Sequence, residues 1–538
     1  MKFRFFILTF FLALNCIAQN TAPKLVVGIV VDQMRYDYIN KYWDKYGEGG
    51  FKKLVSQGAF CKNVNFNYVP TYTAPGHASI YSGTTPSFNG IIANDWYNRE
   101  INRNFYCVED TSVNTVGSDS KGGKMSPKNL LATTVTDELK LQNKDESKVF
   151  GISLKDRGAV LPAGHLPNGA FWYDAKTGNF ITSTFYTNAL PTWVSDFNTK
   201  KLPAAYMSKD WTTLYSIEKY KESAADNNEF EGMFKGETKP VFPHKLAHFI
   251  KQEEGLGIIR STPFGNSLIK DLAIQLVKSE NLGKSYRSDF LAISFSSTDY
   301  VGHMYGPQSI EVQDTYLRLD KDLEELLNFL ETQVGKDNLL VFLTADHAAA
   351  QAPSFAQKSN IPGGYVDDKF LKDTLNKFLK SKFGFDLVTD FTNQQVYLNH
   401  NIILKNNIRL RDAQQVAADF FNRFNYIENS LPAYSLNDCY YTSGIPLLIQ
   451  NGYHTKRSGD VMVNYLPGWM EYHKTGTTHG SPYNYDTHVP LIWYGWKIKQ
   501  AELLDAISII DIAPTLSFFL GIPFPNATTG KPIQGLVK

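Results

Sequence analysis

The chain has 538 residues, 43% hydrophobic and 20% charged, the composition of a soluble globular protein with a large core. Its length would ordinarily suggest three or four domains. A net charge of +1 argues against a general nucleic-acid binder, which normally carries a basic surplus.

In chain order, the first predicted element is a targeting segment. Residues 1–18 place Lys2 and Arg4 before an apolar run from Phe5 to Leu14, followed by small residues around Ala18. That is the pattern of a secretory signal peptide cleaved after Ala18, and the run is too short to span a bilayer. Cys16 offers a lipoprotein alternative, but Asn15 stands where a small residue is expected before a lipidated cysteine. No later segment is long and apolar enough to cross a membrane. The mature chain, 19–538, is therefore expected to be periplasmic or secreted. Its cysteines, Cys61, Cys107 and Cys439, are odd in number and lack a C-x-x-C spacing. They allow one disulfide at most and no cysteine-only metal site.

"KLVVGIVVDQM" (24–34) reads as a buried parallel-type strand ending in Asp32. "KVFGISL" (148–154), "DFLAISFSSTD" (289–299), "NLLVFLTADH" (338–347) and "VPLIWYGW" (489–496) look similar. Between them, Val312, Tyr316, Leu319, Leu323, Leu326 and Leu330 recur at helical spacing within 309–335. Strand–helix alternation predicts an α/β fold, a mostly parallel central sheet sandwiched by helices. Residues 158–262 break the pattern with hairpin-like turns and many aromatics, and read as a cap-like insertion. Residues 385–470 form a second excursion within what is otherwise one catalytic domain.

Three predicted strands end in acids: Asp32, Asp299 and Asp346. Ligands of open α/β sheets bind beyond the carboxyl ends of the strands, so these acids would meet in one crevice. A single such aspartate is usually a turn former or helix cap. Three of them, two with neighbouring histidines, favour a site. His303 follows Asp299 by four residues, His347 is adjacent to Asp346, and His479 lies in the polar loop "KTGTTHGSP". Three carboxylates and three imidazoles suit two tetrahedral divalent sites, and imidazole nitrogen favours zinc over magnesium. His77, His165, His473 and His488 are read as surface or satisfied core residues. In "NYVPTYTAPGHASIYSG" (67–83), Thr73 precedes a potential helix with Pro75 in its first turn. A hydroxyl there faces a helix N-terminus, where an anion is favoured and a metal ion could hold it as alkoxide. Thr71 and Ser79 are worse placed, and an ordinary turn also fits the T-x-P-G spacing.

Taken in order, "VVDQMRYDY", "VPTYTAPGHASIYSGTTPSFNGIIANDWY", "SLKDRGAVLPAGH", "STDYVGHMYGP", "TADHA" and "KTGTTHGSPYNYDTHVPLIWYG" resemble the alkaline phosphatase superfamily over essentially the whole mature chain. The likeness is strongest to the branch that uses threonine rather than serine. The resemblance implies hydrolysis of phosphate monoesters through a phosphothreonine intermediate at a centre of two Zn2+ ions. It implies Thr73 as nucleophile, with Asp32, Asp346 and His347 as ligands of the zinc that also holds it. Asp299, His303 and His479 match the ligands of the second zinc. Asn94, Lys155 and Arg157 match the groups that hold the non-bridging phosphoryl oxygens, where fixed donors stabilise spread negative charge. One departure is "ADHAAA": Ala348 stands where the family commonly has glycine, and a positive φ there would strain the loop.

The nearest rival is a phosphodiesterase of the nucleotide pyrophosphatase type, which shares these motifs. The Lys155–Arg157 pair favours the dianionic end of a monoester over a diester. Sulfatases are disfavoured because no Cys- or Ser-x-Pro-x-Arg motif surrounds residue 73. A weakly catalytic or purely binding relative is the remaining alternative. Expected partners are small phosphate monoesters and no nucleic acid, with a monomer favoured.

Overall fold

The computed structural model describes residues 22–251, 255–472 and 474–537. The predicted secretory segment, with Cys16, lies outside the described residues, as does His473. In chain order, the elements that build and back the candidate site are β1 (Leu25–Val31), β2 (Ala59–Asn65), α1 (Thr73–Ser82), β3 (Val149–Ser153), α2 (Asp156–Ala163), β4 (Gly169–Asp174), β5 (Asn179–Ser183), β6 (Asp289–Phe295), α3 (Ser297–Tyr305), α4 (Ile310–Val334), β7 (Leu339–Thr344) and β8 (His488–Gly495).

The central sheet has eleven strands in the order Ala501–Leu503, β2, β8, β7, β1, β6, β3, β4, β5 and Thr115–Val116, with Ile507–Ser508 also paired to β2. From β7 through β1, β6 and β3 to β4 the pairing is parallel throughout. Every residue of β1, β6 and β7 is buried, as expected of parallel strands covered on both faces. β8 corrects the expectation for 489–496: it is buried, but antiparallel to both β7 and β2. A continuous apolar run records burial on both faces and carries no information about direction. The long helix follows its periodicity. α4 starts where the Ser309 hydroxyl accepts from the Val312 amide and stops at Gly335, whose φ is +84°.

The acids do not all end strands. Asp32 follows β1 directly and Asp346 lies two residues beyond β7. β6 stops at Phe295, so Asp299 sits in the first turn of α3 instead. Polar "SSTD" favours a helix start over extension of the apolar strand.

Residues 158–262 are only partly outside the sheet. Their hairpin is β4–β5, and β4 pairs in parallel with β3. The remainder buries Trp211, Tyr220, Phe234 and Phe249 in the same hydrophobic cluster as the central strands. In the second excursion, Val388–Thr392, Gln395–Leu398, Val461–Tyr465 and Ile427–Pro432 form, in that order, a four-stranded antiparallel sheet. It has a core of its own, including Leu371, Leu375, Phe421 and Val461. Cys61, Cys107 and Cys439 are free thiols. Among the described residues, no helix is long and apolar enough to cross a membrane.

Candidate active site

Adjacent strands bring distant residues together. β1 lies between β7 and β6, so Asp32, Asp346 and the start of α3 emerge side by side at the carboxyl end of the sheet. In α3, Asp299 and His303 are one turn apart on one face, with His303 Nε2 3.1 Å from Asp299 Oδ1. Thr73 is the first residue of α1, and its Oγ1 lies 3.5 Å from His347 Nε2 and 3.4 Å from Lys155 Nζ. Close approach of α1 to the β7 loop requires Gly76, since a Cβ there would lie 2.2 Å from the Asp346 carbonyl oxygen. The rival hydroxyls point elsewhere. Thr71 Oγ1 donates to the Ser481 carbonyl, and Ser79 Oγ accepts from Asn89.

In each of two groups, Asp32–Asp346–His347 and Asp299–His347–His479, the candidate donor atoms lie within 4.8 Å of one another. His347 belongs to both, and its ring stacks on that of His479 at 3.4 Å. His303 stands at the outer edge, its side chain 25% exposed, bonded to Asp299 rather than inside the tight second group. Lys155 is the ammonium among these acids, 2.7 Å from Asp32 Oδ2 and 2.5 Å from Asp299 Oδ2.

The residues fit a divalent metal centre. Asp32 Oδ1 and Asp346 Oδ2 are buried and have no hydrogen-bond partner, a costly state for carboxylate oxygens that serve only structure. All three imidazoles are anchored through Nδ1 to backbone carbonyls: His303 to Thr477 (2.8 Å), His347 to Ala348 (3.0 Å) and His479 to Thr71 (2.6 Å). Anchoring through Nδ1 leaves each Nε2 available to a metal ion, the usual arrangement behind metal-binding histidines.

Electrostatics divide the acids. Burial raises Asp32 well above the usual carboxylate range, Asp299 and Asp346 add to the rise, and Lys155 opposes it. Burial also works against charge on Asp299, yet His303 and Lys155 hold it well below that range. Asp346 is lowered too, by His347 and His77 against its burial. Burial depresses His347, and it depresses His479 well below the usual imidazole value, with His347 and His303 contributing. Three close carboxylates with one ammonium cannot all ionise cheaply, whereas added divalent charge would favour ionisation of all three.

The predicted phosphoryl-holding residues border this cluster. Asn94 Oδ1 accepts from the Ala74 amide at 2.9 Å, which orients the side chain at the start of α1. Lys155 immediately precedes α2, and Arg157 is its second residue. Arg157 donates through Nη1 to the Tyr106 hydroxyl (3.0 Å), which in turn donates to Asp156 (2.5 Å). Ala348 is not among the positive-φ residues, so the strain considered for that position does not arise. Its amide donates to the Asp486 carbonyl at 2.9 Å.

Sequence reasoning missed several supporting residues. His77, read as a core or surface histidine, bonds the Thr73 carbonyl through Nδ1 (2.9 Å) and Ser294 Oγ through Nε2 (3.1 Å), and lies 3.3 Å from Asp346 Oδ2. Its spacing of four from Thr73 was the available signal, once a helix was taken to start there. Gln33, Tyr106 and Asp486 had no signal of their own. His165 and His488 are satisfied by Asp137 and by the Lys62 carbonyl, away from the cluster.

A family model described as type I phosphodiesterase / nucleotide pyrophosphatase matches residues 26–489. Among characterised relatives, an alkaline phosphatase, PafA, from Elizabethkingia meningoseptica is 46% identical, covering 96% of this chain and 94% of its own. A Myroides odoratus protein named as a calcium-transporting ATPase is 44% identical, covering 96% and 95%. The crystal structure of wild-type alkaline phosphatase PafA superposes with a TM-score of 0.93 at 45% identity, covering 96% of this chain and 99% of that one.

Proposed function

The chain belongs to the type I phosphodiesterase / nucleotide pyrophosphatase family of the alkaline phosphatase superfamily, and from that premise we propose that it is a two-zinc alkaline phosphatase using Thr73 as nucleophile. The observation that carries the reading is the Thr73 hydroxyl at the start of α1, beside His347, Lys155 and two buried carboxylate oxygens without partners.

Asp32, Asp346 and His347 would hold one zinc ion, and Asp299, His303 and His479 the other. When bound, the ions supply Lewis acidity for the entering and leaving oxygens. The protein's own contribution is positioning and fixed charge. The N-terminus of α1 favours the anionic form of Thr73 and the phosphoryl oxygens near it. With its Oδ1 committed to the Ala74 amide, Asn94 keeps its amide nitrogen as a donor for a phosphoryl oxygen. Lys155 and Arg157 would present two positive charges to the phosphoryl oxygens, with Tyr106 orienting the Arg157 fork. Threonine would attack phosphorus, form phosphothreonine, and release the alcohol; water would then free phosphate from Thr73. The charged-then-apolar pattern of residues 1–18 supports export of the mature chain.

The family description favours a second reading, a phosphodiesterase on the same scaffold. The name of the Myroides relative points to ATP, whose terminal phosphoryl group presents the same dianionic face as a monoester. One comparison separates mono- from diesterase: an aryl phosphate against its methyl diester, on wild type and on Lys155→Ala/Arg157→Ala. A diester replaces one charged oxygen with a neutral substituent, so the cation pair is poorly used. Monoester kcat/KM should fall roughly two to three orders of magnitude further than diester kcat/KM in the double variant. Equal losses, or a wild type that already prefers the diester, would replace this reading with the phosphodiesterase.

A further inference from the structure

Gln33 follows Asp32 at the end of β1 and is 3% exposed. Its φ is +63°, a left-handed conformation that a long side chain rarely adopts. The turn it makes sends two groups in two directions. Its backbone amide donates to Asp346 Oδ1 at 3.2 Å, and its side-chain Nε2 donates to Asp299 Oδ1 at 2.7 Å. One residue thus bonds a carboxylate of each proposed half-site. Such an unfavourable backbone state persists where the surroundings over-determine it, commonly at functional sites.

The wall of α3 is shaped around this side chain. A Cβ at Gly302 would lie 1.9 Å from Gln33 Oε1, so only glycine there lets the amide lie against the helix. A neutral amide also suits the task. It fixes the rotation of the Asp299 carboxylate without neutralising the charge that a cation would use. Such outer partners of metal ligands set ligand orientation, and their loss typically costs about 10–100-fold in metal affinity or activity.

We infer that Gln33 is a positioning residue for the second half-site, its amide holding Asp299 in the orientation a metal ion needs while its backbone steadies Asp346 in the first. The inference rests on the two-zinc reading above. It makes Gln33 and Gly302 a matched pair, because the glycine matters only through the amide packed on it.

The test is zinc release from the loaded enzyme into a chromophoric chelator, with melting temperature measured alongside. Gln33→Gly removes the amide while relaxing the positive φ, so the fold should be retained. One zinc ion should leave about 10–100-fold faster, with the other unchanged. Gly302→Ala, which leaves Gln33 in place but displaces its amide, should give the same phenotype. The double variant should be no worse than either single one, since both remove one contact. A wild type holding two zinc ions, with variants that release both at wild-type rates, overturns this inference alone. A wild type that binds fewer than two overturns the two-zinc reading and this inference with it.

Discussion

The two proposed half-sites differ in how they are built. Asp32, Asp346 and His347 follow two adjacent central strands and are completely buried. Asp299 and His303 come from a short helix, His479 from a polar loop, and the His303 side chain is 25% exposed. The first half-site therefore inherits the rigidity of the sheet, whereas the second depends on contacts between elements that meet only through side chains and loops. Burial and rigidity suit a nucleophile that must be held in one geometry. Exposure at the second suits departure of the alcohol and entry of water.

The largest expected effect breaks the first half-site's chemistry. Thr73→Ala should abolish the phosphoenzyme and lower turnover by several orders of magnitude, while Thr71→Ala should leave turnover near wild type. Acid-quenched labelling followed by peptide mapping checks this; label on a peptide lacking Thr73 would sink the assignment.

Metal exchange addresses the asymmetry itself. The buried half-site should release its ion slowly and the half-site with exposed His303 at least about tenfold faster, given the dependence of metal sites on their shells. His303→Gln should accelerate only the fast phase, and Asp346→Asn should affect the slow one. Release in a single phase from the wild type would show the two half-sites to be equivalent.

The smallest expected effect concerns what stands behind the second half-site. The insertion touches the end of α3 through the Gly232 amide on the Met304 carbonyl, and meets the His479 loop through the Gly476 amide on Phe230. His244 pins that insertion to α4, bonded to Glu237 (2.6 Å) and Glu311 (3.2 Å). Burial opposes charge on His244, but these carboxylates push it up to about 9. Because its folded pKa exceeds its unfolded value, its contribution is complete below about 6.5 and is lost as pH rises through about 9, at most about 3 kcal/mol. Glu231, raised to about 10 by burial and by Glu311, weakens the fold in the same direction as pH rises. Asp226, raised by burial, also faces His244. The readout is therefore the difference between wild type and His244→Gln. The wild type should lose a few degrees more of melting temperature between pH 7 and 10. Parallel pH profiles would show that His244 does not pin the insertion.

Much of this was legible without coordinates. Continuous runs of valine, isoleucine and leucine revealed the buried strands, because a strand covered on both faces must be apolar throughout. The helix at 310–334 was equally plain from its spacing. The candidate residues were legible as a set because acids and histidines placed just after apolar runs have few other reasons to be there. The direction of β8 was not legible, since burial does not encode it. The end of β6 was misplaced in the reading of 289–299 as one strand, although its polar tetrapeptide favours a helix start, because the apolar run before it set the expectation. The hairpin-like turns of 158–262 were visible, but not that the β4–β5 hairpin joins the central sheet, because an aromatic, turn-rich stretch reads as a cap-like insertion.

By itself the sequence determined the α/β class, the acids and histidines of a candidate metal centre, and the loop in which a threonine could open a helix. These are local properties, written in the period of apolar residues and in which polar residues follow them. Tertiary structure alone decided which carboxylates share a neighbour, because strand order is a long-range choice. It also decided that Ala348 is unstrained, that His77 lies beside Asp346, and that Gln33 reaches a carboxylate of each proposed half-site through a gap left by Gly302. Each of those depends on atoms more than 200 residues apart in the chain or on a backbone angle fixed by its surroundings, and no window of sequence contains either.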